Sequence, residues 1–144
     1  MSTTTIKLHR VFRAPPERLY KAWTTPAAFN KWLPPNGYLG EVHKMEPHVG
    51  GKWHMSFTEL ASGHSHSFGG NYVELHPNEK ICYTATFDDP NLPGQMKTTV
   101  LLKAVSCGTE VHITQEGVPA VIPAEQCYLG WQQSLALLAL LVEQ

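Results

Sequence analysis

Apolar and polar residues alternate through the middle of the chain, which is the pattern of half-buried β-strands. Six runs rich in β-branched and aromatic residues are separated there by short segments of turn-forming residues. These runs cover residues 38–45, 51–57, 66–75, 80–87, 97–105 and 109–116. Because the connections are too short for parallel crossovers, we expect antiparallel neighbours.

The two ends of the chain carry different patterns. Residues 6–12 read as a further strand, and Pro16 suits the first turn of a short helix that runs to about Trp23. A second short helix follows Thr25, and a long helix is expected over residues 123–143. One strand, two short helices, six antiparallel strands and one long helix predict an α+β fold with the helix packed on one face of the sheet.

Five sequence segments occur in an order and spacing that resemble a known superfamily. They are Arg10 to Pro26, Val49-Gly50-Gly51-Lys52-Trp53, Gly70 to Pro77, Gly108-Thr109-Glu110-Val111 and Gly130 to Leu135. From about Ile6 onward the chain resembles an SRPBCC (START/birch-pollen-allergen-like) domain, and more narrowly the branch named after the activator of the heat-shock protein 90 ATPase. The resemblance implies one domain over residues 1–144 with the helix-grip fold. In that fold a curved antiparallel sheet of about seven strands wraps around the C-terminal helix and leaves a cavity between them.

Residue spacing indicates which side chains face this implied cavity. Alternation in the run 52–57 places its three large apolar side chains on one face, and spacing of three or four residues marks one face of the final helix. Aromatic rings with a polar end suit the wall of an apolar cavity. The residues expected to bind a ligand are Trp53, Met55, Phe57, Tyr83, Phe87, Leu102, Tyr128, Trp131 and Leu135.

Composition and charge narrow the classes of partner. The 144 residues carry a net charge of −1, and their lysines and arginines are scattered, so we expect no nucleic-acid partner. The N-terminus has no apolar signal region and no apolar run approaches about 20 residues, which predicts no membrane partner and a cytoplasmic protein. Three cysteines without a CxxC pair suit free thiols.

Motifs for catalysis or cofactors are missing from the sequence. It has no GxSxG, Walker A, dinucleotide-binding or HExxH pattern, so we predict no catalytic residue, no cofactor and no metal. A zinc site formed by His54, His64 and His66 is the alternative, because imidazoles on adjacent strands could converge. No carboxylate is spaced to complete that set, and we expect solvated histidines.

Three functions stay open on this basis. The resemblance implies binding of a small apolar or aromatic molecule in the cavity. It also allows a cyclase-, aromatase- or hydrolase-like enzyme in the same cavity, or a chaperone ATPase co-regulator or interaction protein, since fold alone does not separate these. Ionisable groups directed into the cavity would favour the enzyme, because acid–base catalysis needs such a group.

The final helix has an unusual surface. Residues 135–142 are apolar on every side, and such a helix is normally buried on every side. Leu137, Leu140 and Leu141 are expected to form an exposed strip that a two-fold homodimer would cover. The alternative is that the strip folds back on the N-terminal strand or on the Pro34-Pro35 loop.

Overall fold

The computed structural model describes residues 3–143, and these residues form one seven-stranded sheet and three helices. The elements are β1 (Thr3–Phe12), α1 (Pro16–Thr24), α2 (Pro26–Trp32), β2 (Tyr38–Met45), β3 (Lys52–Glu59), β4 (Ser65–His76), β5 (Lys80–Phe87), β6 (Met96–Val105), β7 (Gly108–Pro119) and α3 (Ala124–Val142). The predicted α+β helix-grip fold is confirmed.

The sheet order is β1-β7-β6-β5-β4-β3-β2, and every pairing is antiparallel. The first strand therefore lies beside the last one, while the remaining strands follow one another as hairpins. Register irregularities interrupt β1, β2 and β4, and irregularities of this kind bend a strand and increase its twist. The resulting curved sheet presents its apolar face to α3.

Helices α1 and α2 cover one end of the apolar face. Trp23 and Trp32 meet edge to face with ring centroids 4.6 Å apart, and the Trp32 Nε1 donates to the Ala22 carbonyl oxygen at 2.9 Å. Both indoles are almost completely buried. Helix α1 also contacts β6 and α3, so this end of the sheet is closed by a packed core.

The two halves of α3 differ in how closely they pack. Its C-terminal half buries Leu135, Leu138 and Val142. That half is also held by hydrogen bonds, because the Arg18 Nη1 donates to the Val142 carbonyl oxygen at 2.8 Å. The N-terminal half, by contrast, is only partly buried. No helix within residues 3–143 is long and apolar enough to cross a membrane.

The strip expected on α3 is less exposed than its sequence suggests. Leu137 and Leu141 are half-buried and pack against the core, whereas Leu140 is 65% exposed. The helix packs on the core with more than one face, so Leu137 and Leu141 are partly covered by contacts within the chain. The homodimer stays a prediction, and its apolar surface is narrower than expected.

Candidate functional site

A cavity of about 720 Å³ lies beneath the N-terminal half of α3. Its floor comes from the ends of the strands that lie farthest from α1, including Phe87 of β5, Met96 of β6 and Val118 of β7. The segment after α2 contributes Leu33 and Pro35 to the wall. The cavity therefore occupies the end of the sheet that α1 and α2 leave uncovered.

Aromatic rings form the wall on the side of β3, β4 and β5. Trp53 meets Tyr83 at a centroid distance of 5.4 Å and Phe68 at 5.7 Å, and Phe57 meets Phe68 at 4.9 Å. The interplanar angles of these three pairs lie between 78° and 86°. Edge-to-face contacts of this kind are a preferred geometry for aromatic pairs, so the rings hold one another in place.

Trp53 is positioned by a hydrogen bond that spans two strands. Its Nε1 donates to the Thr84 carbonyl oxygen in β5 at 3.0 Å, although β4 lies between β3 and β5. The indole crosses β4 at its pairing partner Gly70. A Cβ atom on Gly70 would lie 2.2 Å from the same carbonyl oxygen. The glycine therefore allows the close approach that fixes this wall.

Hydrogen bonds also fix the side of the cavity formed by α3. The Trp131 Nε1 donates to Gln115 Oε1 of β7 at 3.0 Å, and Gln133 Oε1 accepts from the Asn36 backbone N–H at 3.1 Å. Ser134 Oγ donates to the Leu33 carbonyl oxygen at 2.6 Å. The helix is thus tied both to the sheet and to the segment that follows α2.

The cavity wall is polar at several points but carries no full charge. Of the described residues that line it, none is an aspartate, glutamate, lysine or arginine. Burial raises the pKa of Tyr83 to about 12 and also raises the pKa of the free thiol of Cys127. Both groups therefore stay protonated near neutral pH.

His66 is the one imidazole among the described residues that line the cavity. It lies exposed at the rim, and its ring is 5.7 Å from that of Phe57, 6.3 Å from Phe87 and 6.3 Å from Tyr38. Desolvation by these surroundings lowers the pKa of the imidazole, which is therefore neutral at pH 7. Within the described residues no carboxylate orients this ring.

Five of the nine residues expected at the site line the cavity. They are Trp53, Phe57, Tyr83, Phe87 and Trp131.

The other four residues lie elsewhere. Met55 is completely buried in the core, and Leu102 lies at the end of β6 farthest from the cavity. Leu135 belongs to the packed half of α3, and Tyr128 turns toward β1, where its hydroxyl accepts from the Lys7 backbone N–H at 3.4 Å. These four residues belong to a strand or helix that contributes to the cavity, but their side chains do not line it.

The sequence contained a signal for some lining residues that were not predicted. Phe68 lies two residues from His66 on the cavity face of β4, and alternation would have identified it. Thr98 and Gln115 are polar, so an apolar pattern passes over them. Leu33 and Pro35 lie in the irregular segment between α2 and β2, where no periodic pattern indicates which side chains face the cavity.

The zinc alternative at His54, His64 and His66 is not supported by the arrangement of the strands. His54 pairs with Gly69 while His66 pairs with Phe57, so the two imidazoles extend from opposite faces of the sheet. His54 Nε2 lies 2.8 Å from Asp88 Oδ2, on the face away from the cavity. His64 is exposed in the turn before β4.

Comparison with known proteins identifies a family and several similar structures. Residues 13–143 match the model of the family described as activator of Hsp90 ATPase homolog 1-like protein. Protein CV1439 from Chromobacterium violaceum is 55% identical, with a TM-score of 0.96 and 97% of each chain covered. None of the curated proteins matches the chain.

More distant structures share the fold. A Rhodobacter sphaeroides protein is 23% identical, with a TM-score of 0.84 and coverage of 97% of this chain and 92% of the other. The AHSA1-like protein from Aeromonas hydrophila is 19% identical, with a TM-score of 0.78 and the same two coverages. At this identity the likeness concerns the fold alone.

Proposed function

We propose that this chain, which belongs to the activator of Hsp90 ATPase homolog 1-like family, binds a small uncharged apolar or aromatic molecule in the cavity beneath α3. The observation that carries the proposal is the cavity of about 720 Å³ with its wall of fixed aromatic rings. Ligand sites of proteins commonly occupy about 300–1,000 Å³ and combine an apolar lining with a few polar groups.

The absence of charged side chains from the described lining narrows the class of ligand. A carboxylate or sulfonate that entered the cavity would lose its hydration without gaining a cationic partner, and the free energy of that transfer is unfavourable. Amide and hydroxyl groups such as those of Gln115 and Thr98 can instead bond to a carbonyl or hydroxyl of a neutral guest. A planar neutral molecule with one or two such groups fits best.

A matched pair of fluorescent probes tests the proposal. N-phenyl-1-naphthylamine is uncharged, and 1-anilinonaphthalene-8-sulfonate differs from it by one sulfonate. We expect saturable binding of the neutral probe at one site, a higher melting temperature in its presence, and affinity for the sulfonate at least about tenfold weaker.

Two alanine variants supply the control. Ala85 is buried in the cavity wall, so Ala85→Leu should fill part of the cavity and lower the affinity for the neutral probe. Ala104 is exposed on β6, and Ala104→Leu should leave binding unchanged. Absence of saturable binding, or equal affinity in both variants, would contradict the proposal.

A second candidate is acid–base catalysis on a guest in the same cavity, which the position of His66 favours. A neutral imidazole at the rim can accept a proton from a bound molecule. His66→Gln should then retain binding of the neutral probe but abolish turnover of any compound that the unaltered protein converts. Turnover that persists in His66→Gln would exclude this role.

The family description also suggests chaperone co-regulation as a partner function. That function predicts a changed ATPase rate of the heat-shock protein 90 from the same organism when the pure protein is added. An ATPase rate that stays unchanged at a saturating concentration of the added protein would exclude this function.

A further inference from the structure

We propose that His9, Glu110 and His112 form a site for a divalent transition-metal ion, with Zn²⁺ as the best match, on the outer face of the sheet. His9 in β1 pairs directly with His112 in β7. Glu110 lies two residues before His112 and so points to the same face. Their buried neighbours Val111 and Ile113 point to the opposite face, which separates this site from the cavity.

The three side chains already lie close to metal-binding geometry. One donor atom from each residue lies within 4.8 Å of the other two, and His9 Nε2 is 3.7 Å from Glu110 Oε1. The two imidazole rings have centroids 4.6 Å apart. A tetrahedral zinc ion with ligands at about 2.0–2.1 Å needs donor atoms about 3.3 Å apart. Small rotations of partly exposed side chains supply that change.

The donor set has the chemistry of a zinc site with open positions. Two imidazoles and one carboxylate are a known ligand combination for zinc, and imidazole favours zinc, copper or nickel over magnesium or calcium. Glu110 and His112 already lie in direct contact, because Glu110 Oε1 and His112 Nε2 are hydrogen-bonded.

A second histidine distinguishes this cluster from the carboxylate–histidine pair formed by Glu74 and His76. His76 Nε2 lies 3.2 Å from Glu74 Oε2, but the Lys80 ammonium lies 3.1 Å from the same oxygen. That pair offers one imidazole, and its carboxylate is already paired with a cation. Within residues 3–143 no other three ligating side chains bring their donor atoms within 4.8 Å of one another. His76 therefore provides a matched control.

The test is titration of the metal-free, untagged full chain with zinc chloride by calorimetry. We expect one zinc ion per chain, and His9→Gln and His112→Gln should each weaken binding by at least about tenfold, because loss of even an outer partner of a metal site costs about 10- to 100-fold. His76→Gln should leave the affinity unchanged. Zinc should also raise the melting temperature of the unaltered protein, since the ion would link β1 to β7.

Three results would overturn the site. They are no zinc binding, binding that survives both substitutions unchanged, and binding lost equally in His76→Gln. His9 and His112 are both exposed, so circular dichroism should show that the variants remain folded. Imidazole nitrogen shifts in NMR should move for these two residues on adding zinc, and unmoved shifts would refute the assignment even if the affinity falls.

Discussion

Trp131→Ala distinguishes a cavity wall from a packed core. The indole is half-buried, lines the cavity and donates to Gln115 Oε1. Replacing a fully buried tryptophan or phenylalanine by alanine costs about 3–5 kcal/mol of unfolding free energy. Because Trp131 is half-buried, we expect about half of that packing contribution. One hydrogen bond of about 0.5–1.5 kcal/mol is also lost, so the total should be about 2–4 kcal/mol.

The same substitution should lower the affinity of the protein for its ligand. Removing the ring enlarges the cavity and deletes one aromatic contact, worth about 0.5–1.5 kcal/mol beyond its area. We therefore expect affinity for N-phenyl-1-naphthylamine to fall by a factor of about 2 to 13. Urea unfolding measures the first effect, and fluorescence titration of the folded protein measures the second.

Two further variants make the comparison decisive. Phe12 is completely buried in β1 and outside the cavity lining, so Phe12→Ala should cost about 3–5 kcal/mol without changing affinity. Trp131→Phe keeps a ring but removes the donor, and should cost about 0.5–1.5 kcal/mol. A Trp131→Ala variant as unstable as Phe12→Ala, or with unaltered affinity, would refute this interpretation of the wall.

Three shorter predictions follow from other parts of the fold. Gly70→Ala should destabilise the protein by about 1–3 kcal/mol, because the added Cβ would clash with Thr84. A Cβ on Gly130 in α3 would meet nothing within 4 Å, so Gly130→Ala should stabilise the protein by about 0.5–1 kcal/mol. Equal effects of the two substitutions in urea unfolding would contradict this prediction. The lowered pKa of His66 means that the unfolded chain takes up a proton first, so unfolding free energy should fall as pH drops below about 6.5, less so in His66→Gln. The homodimer predicted through α3 should give a folded monomer in light scattering on Leu140→Lys, and a protein already monomeric without the substitution would exclude it.

Local alternation was sufficient to predict the strands and the face they present. The predicted bounds of β2 and β5 agree with the structure, because turn-forming residues flank each run of alternating side chains. Alternation also placed Trp53, Met55 and Phe57 on one face. It could not say that Met55 is fully buried while its two neighbours reach the cavity, since that depends on how the distant helices cover the sheet.

Helical periodicity was even less informative for α3. Its residues are apolar around most of the helix, so spacing alone allowed several orientations. The hydrogen bond from Trp131 to Gln115 and the one accepted by Tyr128 from Lys7 decide the rotation of the helix. Gln115 lies on the preceding strand and Lys7 on the first strand of the chain, and the periodicity of the helix itself does not report contacts with other elements.

The division of the sheet into a packed end and an open end explains how the fold can keep a cavity. At the packed end α1 and the second half of α3 bury side chains completely, which stabilises the domain without any contribution from a ligand. At the open end the aromatic rings are held by their edges and by the bonds to Thr84 and Gln115. Since these walls are fixed and uncharged, the shape of the guest and its hydrogen-bonding groups, rather than its charge, should determine what binds there.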